Sequence, residues 1–123
     1  MHVLFVDDTL DAIEPLCLGF TRAGHQVETA SDAFEALRIV ARNADTLDVI
    51  ILDYHMPTMS GIEAVQQLQQ IKKFASIPVI LFTGDTSGLI EDRARELGIA
   101  RVVYKPMAFE ELIALAQQVV NGS

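Results

Sequence analysis

The chain has 123 residues, half of them hydrophobic, with 17 acidic against 9 basic side chains and a formal net charge of −8. Such a composition sustains one packed core and excludes a disordered chain, and the acidic balance excludes direct binding to nucleic-acid phosphates, which needs a basic face. There is no apolar run of the roughly 18 residues that a transmembrane helix needs, and the opening MHVLFVDD turns acidic without a basic flank, so neither a membrane span nor a secretion signal is expected.

Taken in chain order, the apolar pattern switches between short aliphatic runs and helical periods. VLFV (3–6) predicts a buried strand ending at Asp7–Asp8. Residues 10–23 place Leu10, Ile13, Leu16 and Phe20 at helical spacing until Gly24, and Pro15 inside that span predicts a kink or a frayed first turn. Cys17 lies in this helix, in the run PLCLGF, and reads as a small core residue. As the single cysteine it cannot form an internal disulfide, which fits a reducing cytoplasm.

QVETA (26–30) predicts a half-polar strand, and Ser31 a helix N-cap, with Phe34, Leu37 and Val40 on one stripe through about residue 42. VIIL (49–52) is the third strand. Ser60 and Glu63 have capping-box spacing for a helix through about residue 73. PVILF (78–82) is the fourth strand, followed by a weaker helix over about 87–97 that Gly98 ends. RVVY (101–104) is the fifth strand, and FEELIALAQQVV (109–120) the last amphipathic helix. His2 and His25 have no acidic or cysteine partners at ligand spacing and read as incidental.

Five strands alternating with five helices predict one domain over residues 1–123, built on a doubly wound parallel sheet covered on both faces. In such open sheets, sites form outside the carboxyl ends of the strands. Those ends carry Asp7 and Asp8 (first strand), Asp53 (third), Thr83 (fourth) and Lys105 followed by Pro106 (fifth). Neighbouring carboxylates repel one another, and a hard divalent cation relieves that repulsion; Mg²⁺ takes oxygen ligands, accepts one or two carboxylates and keeps several waters. The bland alternative is a structural Asp–Lys cluster without metal. The chemistry that suits the parts is phosphoryl transfer. A carboxylate serves as nucleophile, Mg²⁺ and Lys105 place positive charge on the equatorial oxygens, and Thr83 donates a hydrogen bond. Asp53 stands alone at its strand end and is the expected nucleophile, while the adjacent Asp7 and Asp8 hold the metal.

VDD (6–8), LDYHMP…SG (52–61), FTG (82–84) and YKP (104–106), in this order and spacing, resemble the receiver domain of two-component response regulators over essentially the whole chain. The resemblance implies a flavodoxin-like (CheY-like) fold with strand order 2-1-3-4-5. It implies Asp53 as phosphoacceptor from a histidine kinase or histidine phosphotransfer protein, and Mg²⁺ (or Mn²⁺) held by Asp8, Asp53 and the backbone carbonyl of His55, with Asp7 acting through water. Thr83 and Lys105 would grip the phosphoryl group. Self-phosphorylation and autodephosphorylation are the only catalysis expected, and output would pass to an effector protein or to an output domain not contained in the chain.

Two features depart from the family pattern. Val102 stands where an aromatic residue is usual, three positions before the lysine. Tyr104, two residues on, shares the same side of its strand; it either substitutes as the moving aromatic or simply packs beside the site. Gly84 stands where alanine is common, leaving more room beside the phosphoryl group, and the loop TGDTSG (83–88) is expected to be mobile. His55 and Asp85 occupy positions that tune dephosphorylation in the family, although His55 also reads as an exposed loop side chain. Met56, Met59 and Met107 read as gap fillers near the site. Two other functions compete with the leading one. A Mg²⁺-dependent small-molecule phosphatase would need a second carboxylate where His55 stands, and a pseudo-receiver would bind partners without phosphorylation.

Overall fold

In a computed structural model, residues 1–43, 45–54, 60–70, 76–84 and 88–122 are described. Strands and helices alternate through them: β1 (His2–Val6), α1 (Leu10–Arg22), β2 (Gln26–Ala30), α2 (Ala33–Asn43), β3 (Val49–Asp53), α3 (Gly61–Leu68), β4 (Val79–Thr83), α4 (Leu89–Glu96), β5 (Arg101–Tyr104) and α5 (Phe109–Val120). The five strands form one parallel sheet in the order β2-β1-β3-β4-β5. The central strands β1, β3 and β4 are buried throughout, as their continuous aliphatic runs demand. The half-polar sequences of β2 and β5 suit the sheet edges, where one side meets water.

Side-chain alternation along the strands divides the interior into two layers. Leu4, Val6, Ile50, Leu52, Val79 and Leu81 pack under α2, α3 and α4, together with Val40, Val65 and Ile90. Val3, Phe5, Val49, Ile51, Ile80, Phe82 and Val103 pack under α1 and α5, together with Phe20 and Leu112. Phe5 and Phe20 meet edge to face, with centroids 5.2 Å apart. At the α1–α5 contact, Gly19 admits the Phe109 ring so closely that a Cβ there would stand 2.3 Å from Phe109 Cγ. Cys17 packs half-buried against this second layer. Met107 also packs against it, while Met56 and Met59 lie outside the described residues. No helix among the described residues is long and apolar enough to cross a membrane.

α1 spans Leu10–Arg22 with Pro15 inside it, and several other local expectations need correction. The proline is exposed, so the carbonyl it leaves without an intrahelical donor faces water, and the first turn closes with Ala12 N–H donating to Thr9 C=O. The cap of α2 is Asp32, whose Oδ1 accepts from Glu35 N–H at 2.8 Å, while Ser31 donates its hydroxyl to the Glu35 carboxylate. Phe34 is not on the core stripe: it is 65% exposed, and Ala33, Ala36, Ile39 and Val40 face inward instead. Ser60 caps α3, its Oγ accepting from Glu63 N–H at 3.2 Å and its hydroxyl donating to the Glu63 carboxylate at 3.4 Å, but α3 ends at Leu68, five residues early, and the Gln69 side-chain amide donates to Leu97 C=O. β4 starts after Pro78, which lacks an N–H; the proline carbonyl still accepts from Ile50 N–H. Nor is His2 incidental. It is buried and ties three segments together, through Nε2 to Glu28 at 2.6 Å, Nδ1 to Thr46 at 3.1 Å, and its backbone N–H to Asp48 at 2.7 Å.

Candidate functional site

Strand register brings the polar strand ends together. Val6 is level with Leu52 in the β1–β3 pairing, so the next residues, Asp7 and Asp53, leave the sheet side by side. Asp53 is level with Phe82, and Thr83 with Tyr104, which places Lys105 just beyond. The Lys105 N–H donates to Thr83 C=O at 2.8 Å and extends the β4–β5 ladder by one residue. Asp7 is turned inward by the start of α1: its Oδ1 accepts from Thr9 N–H at 2.9 Å, an Asx turn that closes the strand-to-helix corner.

The carboxylates and the ammonium meet at this edge. Lys105 Nζ donates to Asp7 Oδ2 at 3.0 Å and to Asp53 Oδ1 at 3.4 Å. Asp7 and Asp53 are buried, at 3% and 8% exposure; Thr83 is fully buried, and Asp8 faces solvent. Burial by itself would lower the Lys105 pKa. The hydrogen bond to Asp7 and the charges of Asp53 and Asp7 outweigh that, so the ammonium is held above the usual lysine value. The same ammonium lies over the Phe82 ring, 5.4 Å from its centroid. One oxygen from each of Asp7, Asp8 and Asp53 falls within 4.8 Å of the others. An all-carboxylate donor set of that span, part exposed and part buried, suits a hard divalent cation that keeps water in its remaining positions.

The other predicted positions divide. Val102 packs half-buried against the layer under α4, and Tyr104, two residues on, donates its hydroxyl to Glu91 of α4. Gly84 is exposed, and a Cβ added there would meet nothing within 4 Å, so close approach does not demand glycine at this position. His55 and Asp85 lie outside the described residues, as do half of the loop expected to be mobile and the carbonyl expected to help hold the metal. Two further residues join the site, Phe82 under Lys105 and Glu91 bonded to Tyr104. Phe82 was accessible through strand register, since it pairs with Asp53. Glu91 gave no signal, because its role depends on where α4 starts.

Comparison with known proteins places this geometry. Residues 3–117 match the family described as response regulator receiver domain. The chain is 37% identical over 113 residues to the uncharacterized transcriptional regulatory protein YrkP of Bacillus subtilis, covering 92% of this chain and 46% of that protein. It is 34% identical over 114 residues to the response regulator MprA of Mycobacterium leprae, covering 93% and 48%. The chain thus spans less than half the length of either relative. Among solved structures, the chemotaxis protein CheY4 of Vibrio cholerae superposes with a TM-score of 0.88 at 31% identity, over 96% of this chain and 97% of that one. A response regulator receiver domain protein from Clostridium thermocellum gives 0.86 at 27% identity, over 98% and 94%. The polar edge built on Asp7, Asp53 and Lys105, the strand order and these likenesses agree: the chain belongs to the response regulator receiver domain family.

Proposed function

We propose that the chain is a phosphoacceptor module, a receiver domain over residues 1–123 that takes a phosphoryl group on Asp53 from a histidine kinase or histidine phosphotransfer protein and changes its protein contacts in response. The observation that carries this reading is the Lys105 ammonium shared between Asp7 and Asp53, beside a third carboxylate, Asp8. An Asp53 oxygen attacks phosphorus in line. The new P–O bond forms as the P–N bond to the donor imidazole breaks, and the imidazole leaves with the bonding pair. Hydrolysis reverses the state: water adds to phosphorus, the P–O bond to Asp53 breaks, and inorganic phosphate departs.

Asp7, Asp8 and Asp53 would hold Mg²⁺ (or Mn²⁺), which when bound supplies positive charge for the phosphoryl oxygens. Lys105 is set to neutralise an equatorial oxygen, because its ammonium already reaches Asp53 and is held protonated. Thr83, fully buried one residue beyond the Asp53–Phe82 pair, supplies a hydroxyl donor. A groove lined by Ile13, Pro15, Leu16, Phe82, Pro106 and Met107 runs beside Lys105 and fits approach of a donor protein from the α1 side. The signal would pass to an effector protein or to an output domain outside the chain, and this chemistry suits the cytoplasm, where phosphodonors are made.

Incubation with Mg²⁺ and acetyl phosphate, followed by intact mass measurement, tests the reading. The expected result is one phosphoryl adduct, absent in Asp53→Asn and without Mg²⁺. No adduct would favour a phosphorylation-independent binding module. Sustained turnover of many phosphoesters would favour a small phosphatase.

A further inference from the structure

Four side chains of the polar edge share one face of the sheet. Phe5, Ile51, Ile80 and Val103 all pack in the layer under α1 and α5. Two residues further along their strands stand Asp7, Asp53, Phe82 and Lys105, so alternation sends these four to that same face. Asp53 and Phe82 are level across the β3–β4 pairing, and Phe82 is buried. Phe82 is thus the apolar floor beneath the charged groups, and the Lys105 ammonium lies over its ring, 5.4 Å from the centroid.

Three contacts hold that ammonium: Asp7 at 3.0 Å, Asp53 at 3.4 Å and the ring face. The first two change when a phosphoryl group is accepted. Asp53 loses its own charge once one of its oxygens is bonded to phosphorus. A divalent cation held by Asp7 and Asp53 draws on the same carboxylate oxygens as the ammonium. The ring is indifferent to both events. It carries no titrating or ligating atom, and strands on both sides fix it, through Asp53 of β3 and Val103 of β5. The Lys105 side chain is 32% exposed and hangs on a flexible four-carbon stem, so an ammonium loosened by its carboxylates has a short path to water.

We propose that Phe82 is a positioning residue for phosphoryl acceptance. Its ring face seats the Lys105 ammonium beside Asp53 before and after transfer, so the positive charge is already in place when the new P–O bond forms. Charge held in position stabilises a transition state without the reorganisation that a solvated ammonium requires. Leucine at position 82 would fill part of the space but offer no negative face to a cation. This role rests on the phosphoacceptor reading.

Phenylalanine analogues with one, two and three ring fluorines, introduced at position 82 alone by nonsense suppression, weaken the negative face with little change of shape. With Mg²⁺ and acetyl phosphate, adduct formation followed by intact mass should slow with each fluorine, by roughly three-fold at the third, and Phe82→Leu should be at least as slow. A second measurement needs neither metal nor donor. The Lys105 ε-methylene protons, assigned by their loss in Lys105→Met, should resonate upfield of their position in Phe82→Leu, because the ring shields them. That shift should persist when Mg²⁺ and beryllofluoride are added. Rates indifferent to fluorination, with a normal wild-type adduct, overturn the proposal alone; a merely structural, space-filling Phe82 would give that result. So does a Lys105 resonance that moves to the Phe82→Leu position on adding beryllofluoride. If acetyl phosphate adds nothing to wild-type Asp53, the acceptor reading fails and takes this role with it.

Discussion

Lys105 and Asp7 are 98 residues apart in sequence and 3.0 Å apart in space, closer than the 3.4 Å between Lys105 and Asp53. Asp7 is therefore the main anchor of the ammonium in this state, and Asp53 shares it. Asp7 is fixed in turn by the Thr9 amide, so the position of the lysine is set by the corner between β1 and α1.

This pairing gives a defined dependence on pH. Folding raises the Lys105 pKa, so the folded chain holds the proton more tightly than the unfolded chain. The resulting stabilisation is complete below the ordinary lysine value of 10.5 and is lost as pH rises through the higher folded value. Lys105→Met leaves Asp7 and Asp53 buried beside each other and should cost about 2 kcal/mol at neutral pH. In urea titrations the gap between wild type and variant should hold steady from about pH 6 to about 9 and narrow above the ordinary lysine value. A gap that widens with rising pH would contradict this assignment.

Mg²⁺ should stabilise the fold, because three carboxylates placed within 4.8 Å of one another attract it only when folding has brought them together. At one hundred times the dissociation constant the gain is about 2.7 kcal/mol, visible as a rise in the thermal midpoint by circular dichroism. Asp8→Ala removes the exposed member of the set and should abolish most of the rise. An equal rise in that variant would place the ion elsewhere.

Phe82 should contribute to the lysine through its ring face. In a double-mutant cycle, Phe82→Leu and Lys105→Met are expected to couple by about 0.5–1 kcal/mol in unfolding free energy. The single Phe82→Leu also loses buried volume, and the cycle subtracts that part. Additive single effects would show that the 5.4 Å approach carries no energy.

Gly19→Ala should destabilise the chain by about 1–3 kcal/mol, since its methyl would stand 2.3 Å from Phe109 Cγ. Phe109→Ala should suppress much of that penalty in the double variant. Chemical denaturation of the four proteins checks it, and a neutral Gly19→Ala would mean that the α1–α5 contact yields easily.

The order of elements and the polar edge were legible because the strands are aliphatic runs that stop at chemically distinct residues. Asp53, Thr83 and Lys105 are marked by position as much as by type. Helical phase was harder to read. In α2 the inward face is built partly from Ala33 and Ala36, so the larger Phe34 suggested a stripe that burial does not follow. Ser31 and Asp32 are both good caps, and only backbone geometry selects between them. The early end of α3 coincides with a bond from Gln69 to Leu97, 28 residues away, which no local pattern announces. His2 with Glu28, and Tyr104 with Glu91, are pairs of the same kind, joined by topology rather than by spacing.

The sheet acts as a partition. Helices α1 and α5 lie on one side of it and α2, α3 and α4 on the other, in two separate apolar layers. A protein seated over α1 beside Lys105 and another seated over α4 beside Glu91 would be kept apart by the strands and by roughly 10 Å of packing on each side. Under the proposed phosphoacceptor function, a donor seated on the α1 side would leave the opposite face of the sheet open to a second protein.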